Sequence, residues 1–212
     1  MELIRKFDLN QVGRDYVVGD IHGYFTKLNK QLDDMGFDPR YDRLFSVGDL
    51  VDRGPESYLA KDWLMKPWFF AVQGNHEHMI IESMTDITQK YLSSINGGEW
   101  FARLCLEEKL EHVAAFKAMP LRMEVHTYSG VVGIVHAECE DDWNDPVHPD
   151  KAMWCRDRIQ YNIVTPVSNI HTVYVGHTPT QAIYNLGNVV YLDNGAWAKR
   201  NEALPFRIVQ LD

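Results

Sequence analysis

Five short segments of the sequence carry side chains that could bind metal ions or phosphate, and each follows an apolar run. They read Gly19-Asp20-Ile21-His22-Gly23, Gly48-Asp49-Leu50-Val51-Asp52-Arg53-Gly54, Gly74-Asn75-His76-Glu77, Val135-His136-Ala137 and Gly176-His177-Thr178. Carboxylate and amide oxygens mixed with imidazole nitrogens suit divalent manganese, iron or zinc better than an all-oxygen magnesium or calcium cage. Metal-assisted hydrolysis is therefore the first chemistry that these residues suggest.

These segments supply enough donors for two ions. The candidate ligands are Asp20, His22, Asp49, Asn75, His136 and His177. Two ions about 3.5 to 4 Å apart need a bridging carboxylate, and together they lower the pKa of a bridging water to make a nucleophile. Asp49 is the natural bridge, and Asp20 and His22 can reach one ion from a single tight loop. The other three ligands are then left for the second ion.

The elements that must position these residues alternate between apolar runs and segments of helical spacing, which predicts an α/β layer structure. In the first half the pattern predicts strands over 15–19, 43–47 and 68–72, and helices over 25–35 and after Pro55. Each of these strands ends in a glycine-containing loop, and sites in α/β sheets gather at the carboxyl ends of strands. We therefore expect the five segments to converge on one face of one sheet.

The rest of the chain divides into a helical middle and a strand-rich second half. Residues 91–119 have helical spacing interrupted at Asn96-Gly97-Gly98, and we expect a single domain over 1–212 with a helical insertion around 86–119. Turn residues at Leu186-Gly187-Asn188 favour a hairpin. The apolar pattern predicts strands over 121–127, 131–135, 172–175, 182–186, 189–192 and 206–211.

The motifs in these segments resemble those of the calcineurin-like metallophosphoesterases, and within that family those of the phosphoprotein phosphatases. The Asp-x-His, Gly-Asp-x-x-Asp-Arg-Gly and Gly-Asn-His-Glu motifs match without a substitution, and the resemblance is nearest to short phage and bacterial members. It implies a central β-sandwich flanked by helices, with a βαβαβ metal-binding core and a dinuclear metal site at the strand carboxyl ends. It also implies the same six residues as ligands.

The resemblance further implies roles for residues beside the metal site. His76 is the expected general acid, with Asp52 orienting its imidazole, and Arg53, Arg156 and His76 are the expected phosphate-binding residues. The implied reaction is in-line attack by a metal-bridging hydroxide on small phosphate monoesters and on phosphoserine, phosphothreonine or phosphotyrosine in proteins and peptides. Manganese is the expected metal, with iron, zinc, nickel or cobalt as alternatives.

Two other functions are compatible with the same residues. The site could hydrolyse a dinucleoside polyphosphate or a cyclic nucleotide, because related enzymes with these motifs cleave such substrates. A binding module without catalysis is the third hypothesis, and the intact His76 and Asp52 argue against it.

Composition excludes several classes of protein. A formal charge of −9 opposes binding along a nucleic-acid backbone, and no stretch approaches the roughly 20 apolar residues that a membrane span requires. The sequence starts without the long apolar core of a secretory signal, and its three cysteines show no paired metal-binding spacing. We therefore expect a cytoplasmic protein, without nucleic-acid or membrane partners.

Several conspicuous residues are expected to be structural. The acidic stretch Glu138-Cys139-Glu140-Asp141-Asp142 is predicted to be a solvated loop, and His112 is predicted to be solvated or to cap a helix. Trp68 and Trp154 are predicted to pack near the motif strands. The stretch Asp193-Asn194-Gly195-Ala196 replaces an expected Asp-Thr-Gly-Ala, a change that touches no proposed ligand.

Overall fold

A computed structural model describes residues 3–198, 201 and 203–212, which form two β-sheets with helices around them. Within this described part, no helix is both long and apolar enough to cross a bilayer.

The smaller sheet has four strands in the order β10-β2-β3-β4. Its strands are β2 (Asp15–Val18), β3 (Arg43–Ser46), β4 (Phe69–Ala71) and β10 (Ile208–Leu211). The first three are parallel, with Val18 opposite Ser46 and Ser46 opposite Ala71, and β10 is antiparallel to β2. The carboxyl ends of three motif-bearing strands therefore lie side by side.

The larger sheet has six strands in the order β1-β5-β6-β7-β9-β8. Its strands are β1 (Ile4–Phe7), β5 (Arg122–Thr127), β6 (Gly130–Val135), β7 (Thr172–Val175), β8 (Tyr184–Leu186) and β9 (Val189–Tyr191). Strands β6 and β7 are parallel, so their carboxyl ends also point the same way. Strands β8 and β9 form the predicted hairpin, with Leu186 opposite Val189.

The two sheets pack face to face through a shared apolar core. Val17 and Phe45 of the smaller sheet belong to the same buried cluster as Met123 and Ile134 of the larger sheet. Their side chains alternate with residues that face the opposite side, as the period-two geometry of a strand requires. The expected β-sandwich is confirmed, and the motif loops from both sheets lie at one end of it.

Helices cover the outer faces of the sandwich. They are α1 (Phe25–Asp34), α2 (Ala60–Leu64) preceded by a 3-10 helix (Ser57–Leu59), α3 (Asn75–Glu82), α4 (Ile87–Ile95), α5 (Glu99–Ala102), α6 (Leu106–Lys117), α7 (Pro149–Trp154) and α8 (Asp157–Gln160). Phe25, Trp63 and Phe116 from three of them bury against the smaller sheet in a second apolar cluster. The middle of the chain thus supplies α4 to α6, broken at Asn96–Gly98.

The apolar pattern anticipated nine strands correctly to within two residues at each end, and it missed four elements. The missed elements are β1, α3, α7 and α8. Strand β1 reads Ile4-Arg5-Lys6-Phe7, and two charged residues at its centre hide the apolar pattern of a strand. Its strand character comes from its pairing with β5. Helices α7 and α8 span six and four residues, which is too short for helical periodicity to be visible.

The prediction that the acidic stretch after His136 is a solvated loop is wrong for its first half. Glu138, Cys139 and Glu140 are all buried. Glu140 forms an ion pair with Arg122 of β5, whose guanidinium is fully buried, stacks over the Trp143 ring at 4.7 Å and donates to the Trp143 carbonyl at 3.1 Å. A charge pattern in sequence does not reveal a buried partner that lies far away along the chain.

His112 is also buried rather than solvated. Its two ring nitrogens lie 2.8 Å from the Glu108 carbonyl and 3.1 Å from the Tyr58 carbonyl. This histidine therefore joins α6 to the 3-10 helix before α2.

Replacing Glu140 by alanine should leave the buried charge of Arg122 unpaired, and we expect the free energy of unfolding to fall by about 3 kcal/mol. Asp141→Ala is the matched control, because Asp141 is 86% exposed and pairs loosely with Arg158 at 3.3 Å. That control should change stability by less than about 1 kcal/mol. Urea unfolding of both variants checks this, and equal losses would contradict a special cost for the buried pair.

Candidate metal and phosphoester site

The five motif loops meet at one end of the sandwich, and they come from both sheets rather than from one face of one sheet. The backbone N–H groups of Ile21 and His22 donate to the Asp49 carbonyl at 3.1 and 2.8 Å, which ties the loop after β2 to the loop after β3. The N–H of His177 donates to the Asp20 carboxylate at 3.2 Å and thereby links the two sheets. The five segments therefore converge as the sequence indicated, but they follow strands of two sheets and not of one.

The backbone at this site is held in an unusual conformation. Of the seven described non-glycine residues with positive φ, five belong to the motif segments: His22, Asp49, Asp52, Arg53 and His177. Left-handed backbone in such residues costs of order 1–3 kcal/mol each and clusters at functional sites. The surrounding hydrogen bonds and packing must offset that cost.

Two motif glycines are required by close packing between the loops. A Cβ at Gly54 would lie 2.1 Å from the His22 carbonyl oxygen, and one at Gly74 would lie 2.2 Å from the Asp49 Oδ1. Both distances are far below van der Waals contact, so any larger residue would push the loops apart. These glycines are thus part of what brings the candidate ligands together.

One group of donors is formed by Asp49, Asn75, His136 and His177. The Nδ1 of His136 lies 2.8 Å from the Val47 carbonyl and must carry the ring proton, which leaves a lone pair on Nε2. That Nε2 lies 2.9 Å from the Asn75 Oδ1, 3.2 Å from the His177 Nδ1 and 3.4 Å from the Asp49 Oδ1. Oxygen and nitrogen lone pairs therefore converge on one small space.

A second group surrounds the other oxygen of Asp49. His22 is oriented in the same manner as His136, because its Nδ1 lies 2.8 Å from the Val51 carbonyl. Its Nε2 lies 3.6 Å from the Asp49 Oδ2 and 3.9 Å from the Asp20 Oδ2. The His76 Nε2 is 3.8 Å from the same Asp49 oxygen, so His76 borders this group as well.

The chemistry of these donors fits divalent cations. Burial lowers the pKa of His22 and of His136, and it lowers the pKa of His177 to about 3, so all three imidazoles are neutral and able to bind a metal. Burial, together with nearby Asp193 and Asp49, raises the pKa of Asp20 well above its usual value. Buried acceptors that face one another repel unless a cation lies between them.

His76, Asp52 and Arg53 form a connected chain beside the second group. The His76 Nδ1 lies 2.7 Å from the Asp52 Oδ2, and the Arg53 guanidinium donates to the His76 Nε2 at 3.1 Å and to the His22 Nε2 at 2.9 Å. Burial alone would lower the pKa of His76, but the negative charges of Asp49 and Asp52 reverse this and raise it. Arg53 therefore connects His76 to His22.

Arg156 immediately precedes the first residue of α8, and its side chain is exposed to solvent. Burial is the main cause of the lowered pKa of His136 and of His177, and the positive charge of Arg156 is a smaller cause in both. Arg156 therefore lies near the first donor group. Arg53, by contrast, contacts His22 and His76, which belong to or border the second group.

Three side chains that the sequence analysis gave no role support the site. Glu77 accepts hydrogen bonds from the backbone N–H groups of Asp49, Leu50 and Gly74 at 3.1, 2.7 and 2.8 Å, and so fixes two of the motif loops. Burial and the adjacent Asp49 raise the pKa of Glu77 to about 8. Its position in the Gly-Asn-His-Glu motif was the available signal.

The other two supporting side chains are those of Trp197, which contacts Arg53, and Asp193, which contacts Trp197. The Trp197 ring stacks under the Arg53 guanidinium at 4.0 Å and meets the His22 ring edge-on at 4.8 Å. Its indole N–H donates to the Asp193 Oδ1 at 3.2 Å. The neighbouring Asn194, which departs from the expected motif, donates to the Pro205 carbonyl at 2.8 Å.

Comparison with known proteins agrees with this geometry. The family model described as calcineurin-like phosphoesterase matches residues 16–204. The serine/threonine-protein phosphatase 1 of Salmonella typhimurium is 35% identical over 201 residues, which cover 92% of each chain. A symmetrical bis(5'-nucleosyl)-tetraphosphatase of Haemophilus ducreyi is 28% identical over 61% of this chain and 46% of its own.

Among solved structures, the crystal structure of a proposed diadenosine tetraphosphatase superposes with a TM-score of 0.68 at 19% identity, covering 100% of this chain and 98% of its own. That likeness concerns the fold. The family match extends over most of the chain and includes all five segments that converge here. The chain is therefore a member of the calcineurin-like phosphoesterase family.

Proposed function

We propose that this protein is a metal-dependent phosphomonoesterase that removes phosphate from phosphoserine and phosphothreonine, and also from phosphotyrosine, in proteins. The observation that carries this proposal is the position of Asp49, whose two carboxylate oxygens face two separate groups of nitrogen and oxygen donors beside the His76–Asp52 pair. Relatives named serine/threonine-protein phosphatase match this chain over almost their whole length, and they support the choice of substrate class.

The proposed ligands divide between two ions that share Asp49. Asp20 and His22 would hold one ion, and Asn75, His136 and His177 would hold the other. When bound, two divalent ions lower the pKa of water between them and polarise the phosphoryl oxygens. Manganese suits this mixed oxygen and nitrogen set, and iron, zinc, nickel and cobalt are alternatives.

The residues of the chain would supply the remaining chemistry. His76 gives a proton from Nε2 to the leaving oxygen as the phosphorus–oxygen bond breaks, and Asp52 stabilises the charged imidazole through Nδ1. Arg53 and Arg156 would each bind phosphoryl oxygens, because a planar guanidinium can donate two hydrogen bonds to one phosphate.

The first test is phosphate release from p-nitrophenyl phosphate and a phosphoserine peptide by chelator-stripped protein. We expect added manganese to restore turnover of both substrates, and His76→Asn to lower turnover of the phosphoserine peptide by about 10²- to 10⁴-fold because proton transfer to its leaving oxygen is lost. His126→Asn, at an exposed position of β5, is the matched control and should leave turnover unchanged.

The result also separates the competing functions. Hydrolysis of a dinucleoside polyphosphate or a cyclic nucleotide, with poor turnover of both monoesters, would contradict the phosphatase proposal while retaining the same site. Metal binding without turnover of any of these substrates would indicate a binding role instead.

A second test uses the shared position of Asp49. Calorimetric titration with manganese should show about two ions per chain in the unmodified protein, as expected for a dinuclear site. His177→Ala should lose one of them, because His177 faces only one donor group, whereas Asp49→Asn should weaken both. Asp62→Asn, on exposed α2 surface, is the control. Equal effects of the His177 and Asp49 variants would show that Asp49 is not shared.

A third test concerns Trp197, whose ring holds the Arg53 guanidinium by a cation–π contact worth about 1 kcal/mol at a partly exposed site. We expect Trp197→Leu to raise KM for phosphate esters about fivefold with a smaller change in kcat. Trp197→Phe keeps an aromatic face and should restore most of the affinity. A KM that is equally raised in both variants would exclude the stacking contact as the cause.

A further inference from the structure

The helical middle of the chain reaches the proposed catalytic residues at two points. The indole N–H of Trp100, in α5, donates to the Asp52 Oδ1 at 2.8 Å. Asp52 is fully buried, and its other oxygen is the one that holds the His76 imidazole at 2.7 Å. The two carboxylate oxygens of Asp52 are thus divided between the imidazole and the indole.

The second point of contact is the turn before α5. Gly97 has a φ of 98°, and a Cβ there would lie 2.4 Å from the backbone nitrogen of Arg53. The turn therefore packs directly on the backbone of Arg53, which itself has a φ of 66°. Gly97 is explained by this approach, since a larger residue there would displace Arg53, whereas Gly98 packs against Ser93.

Trp100 is itself fixed from behind. Its ring meets the Phe101 ring at 5.6 Å and the His112 ring at 5.2 Å, both in edge-on geometry. His112 is held in turn by the Glu108 and Tyr58 carbonyls. The contacts with Phe101 and with the buried His112 therefore hold the indole N–H in its direction towards Asp52.

We propose that Trp100 is a positioning residue for general-acid catalysis, which it supports by fixing the plane of the Asp52 carboxylate against His76. This inference rests on the proposed function. A carboxylate held through only one oxygen can rotate about its Cβ–Cγ bond and let the imidazole tilt, whereas a second hydrogen bond removes that freedom. The helical segment then completes the catalytic pair without touching the substrate.

This role predicts a dependence on the leaving group. An alkoxide such as the serine side chain needs a proton as it departs, whereas dinitrophenolate is stable without one. A defect confined to the general acid therefore slows hydrolysis of a phosphoserine peptide far more than hydrolysis of dinitrophenyl phosphate. A general loss of folded protein would slow both reactions equally.

The test is Trp100→Phe, which keeps an aromatic ring in place and removes only the donor. We expect kcat for the phosphoserine peptide to fall about 10-fold, the lower range for the loss of an outer hydrogen-bond partner, with KM and dinitrophenyl phosphate turnover almost unchanged. Glu99→Gln, at an exposed position of the same helix, is the matched control and should leave the ratio of the two rates unaltered. In an Asp52→Asn background, Trp100→Phe should cause no further loss.

Failure of this inference can be distinguished from failure of the proposed function. If the unmodified protein and His76→Asn show the expected leaving-group difference but Trp100→Phe slows both substrates equally, the positioning role is wrong and the phosphatase activity stands. If the unmodified protein hydrolyses neither ester, the proposed function fails.

A measurement without turnover then still decides whether the hydrogen bond exists. Among the six tryptophan indole N–H signals in a proton NMR spectrum, the one lost in Trp100→Phe identifies Trp100. We expect that proton to exchange with solvent far more slowly than that of the exposed Trp154, and to exchange faster in Asp52→Ala. Exchange as fast as that of Trp154 would overturn the inference.

Discussion

The mutual repulsion of buried acceptors around Asp49 is the constraint on which the rest of the site depends. The two carboxylate oxygens of Asp49 lie 3.4 to 3.8 Å from the ring nitrogens of three histidines. Burial keeps two of these imidazoles, those of His22 and His136, neutral. Such an arrangement is unfavourable by itself, because lone pairs face lone pairs away from water. The fold must therefore hold these loops in place firmly enough for a cation to find them assembled. The cross-loop hydrogen bonds, the tight glycines and the buried Glu77 all serve that purpose.

The sequence predicted most of the site because its signals are local. Strand ends can be recognised from apolar runs, and glycine-bounded motifs mark the loops that follow them. All six proposed ligands, together with His76, Asp52 and Arg53, lie in the same region of the structure. The sequence did not show that two sheets share the site, because nothing in an apolar run says which strand will be its neighbour. Only the pairing of β6 with β7 in a separate sheet reveals this.

What the sequence could not show depends on contacts between distant segments. Glu140 looked solvated because its neighbours are acidic, but its partner Arg122 lies in β5 on the preceding hairpin. Trp197 lies 144 residues along the chain from Arg53, and Trp100 lies 48 residues from Asp52. An aromatic residue in an apolar chain is more often core than support for a charged group. Only the fold distinguishes these two roles.

The left-handed backbone of the loop after β3 is held in place by contacts from other segments, including the helical segment. Asp52 and Arg53 both have left-handed backbone, which would relax if nothing held it, since each such residue costs of order 1–3 kcal/mol. Gly97 presses on the backbone of Arg53 from one side, Trp197 stacks on its guanidinium, and Trp100 binds the Asp52 carboxylate. The loop after β3 is therefore clamped by segments that contain none of the family motifs. Variation in those segments can change how the acid and the arginine are presented while the ligand loops stay intact, so differences in activity among such proteins need not arise at the metal ligands.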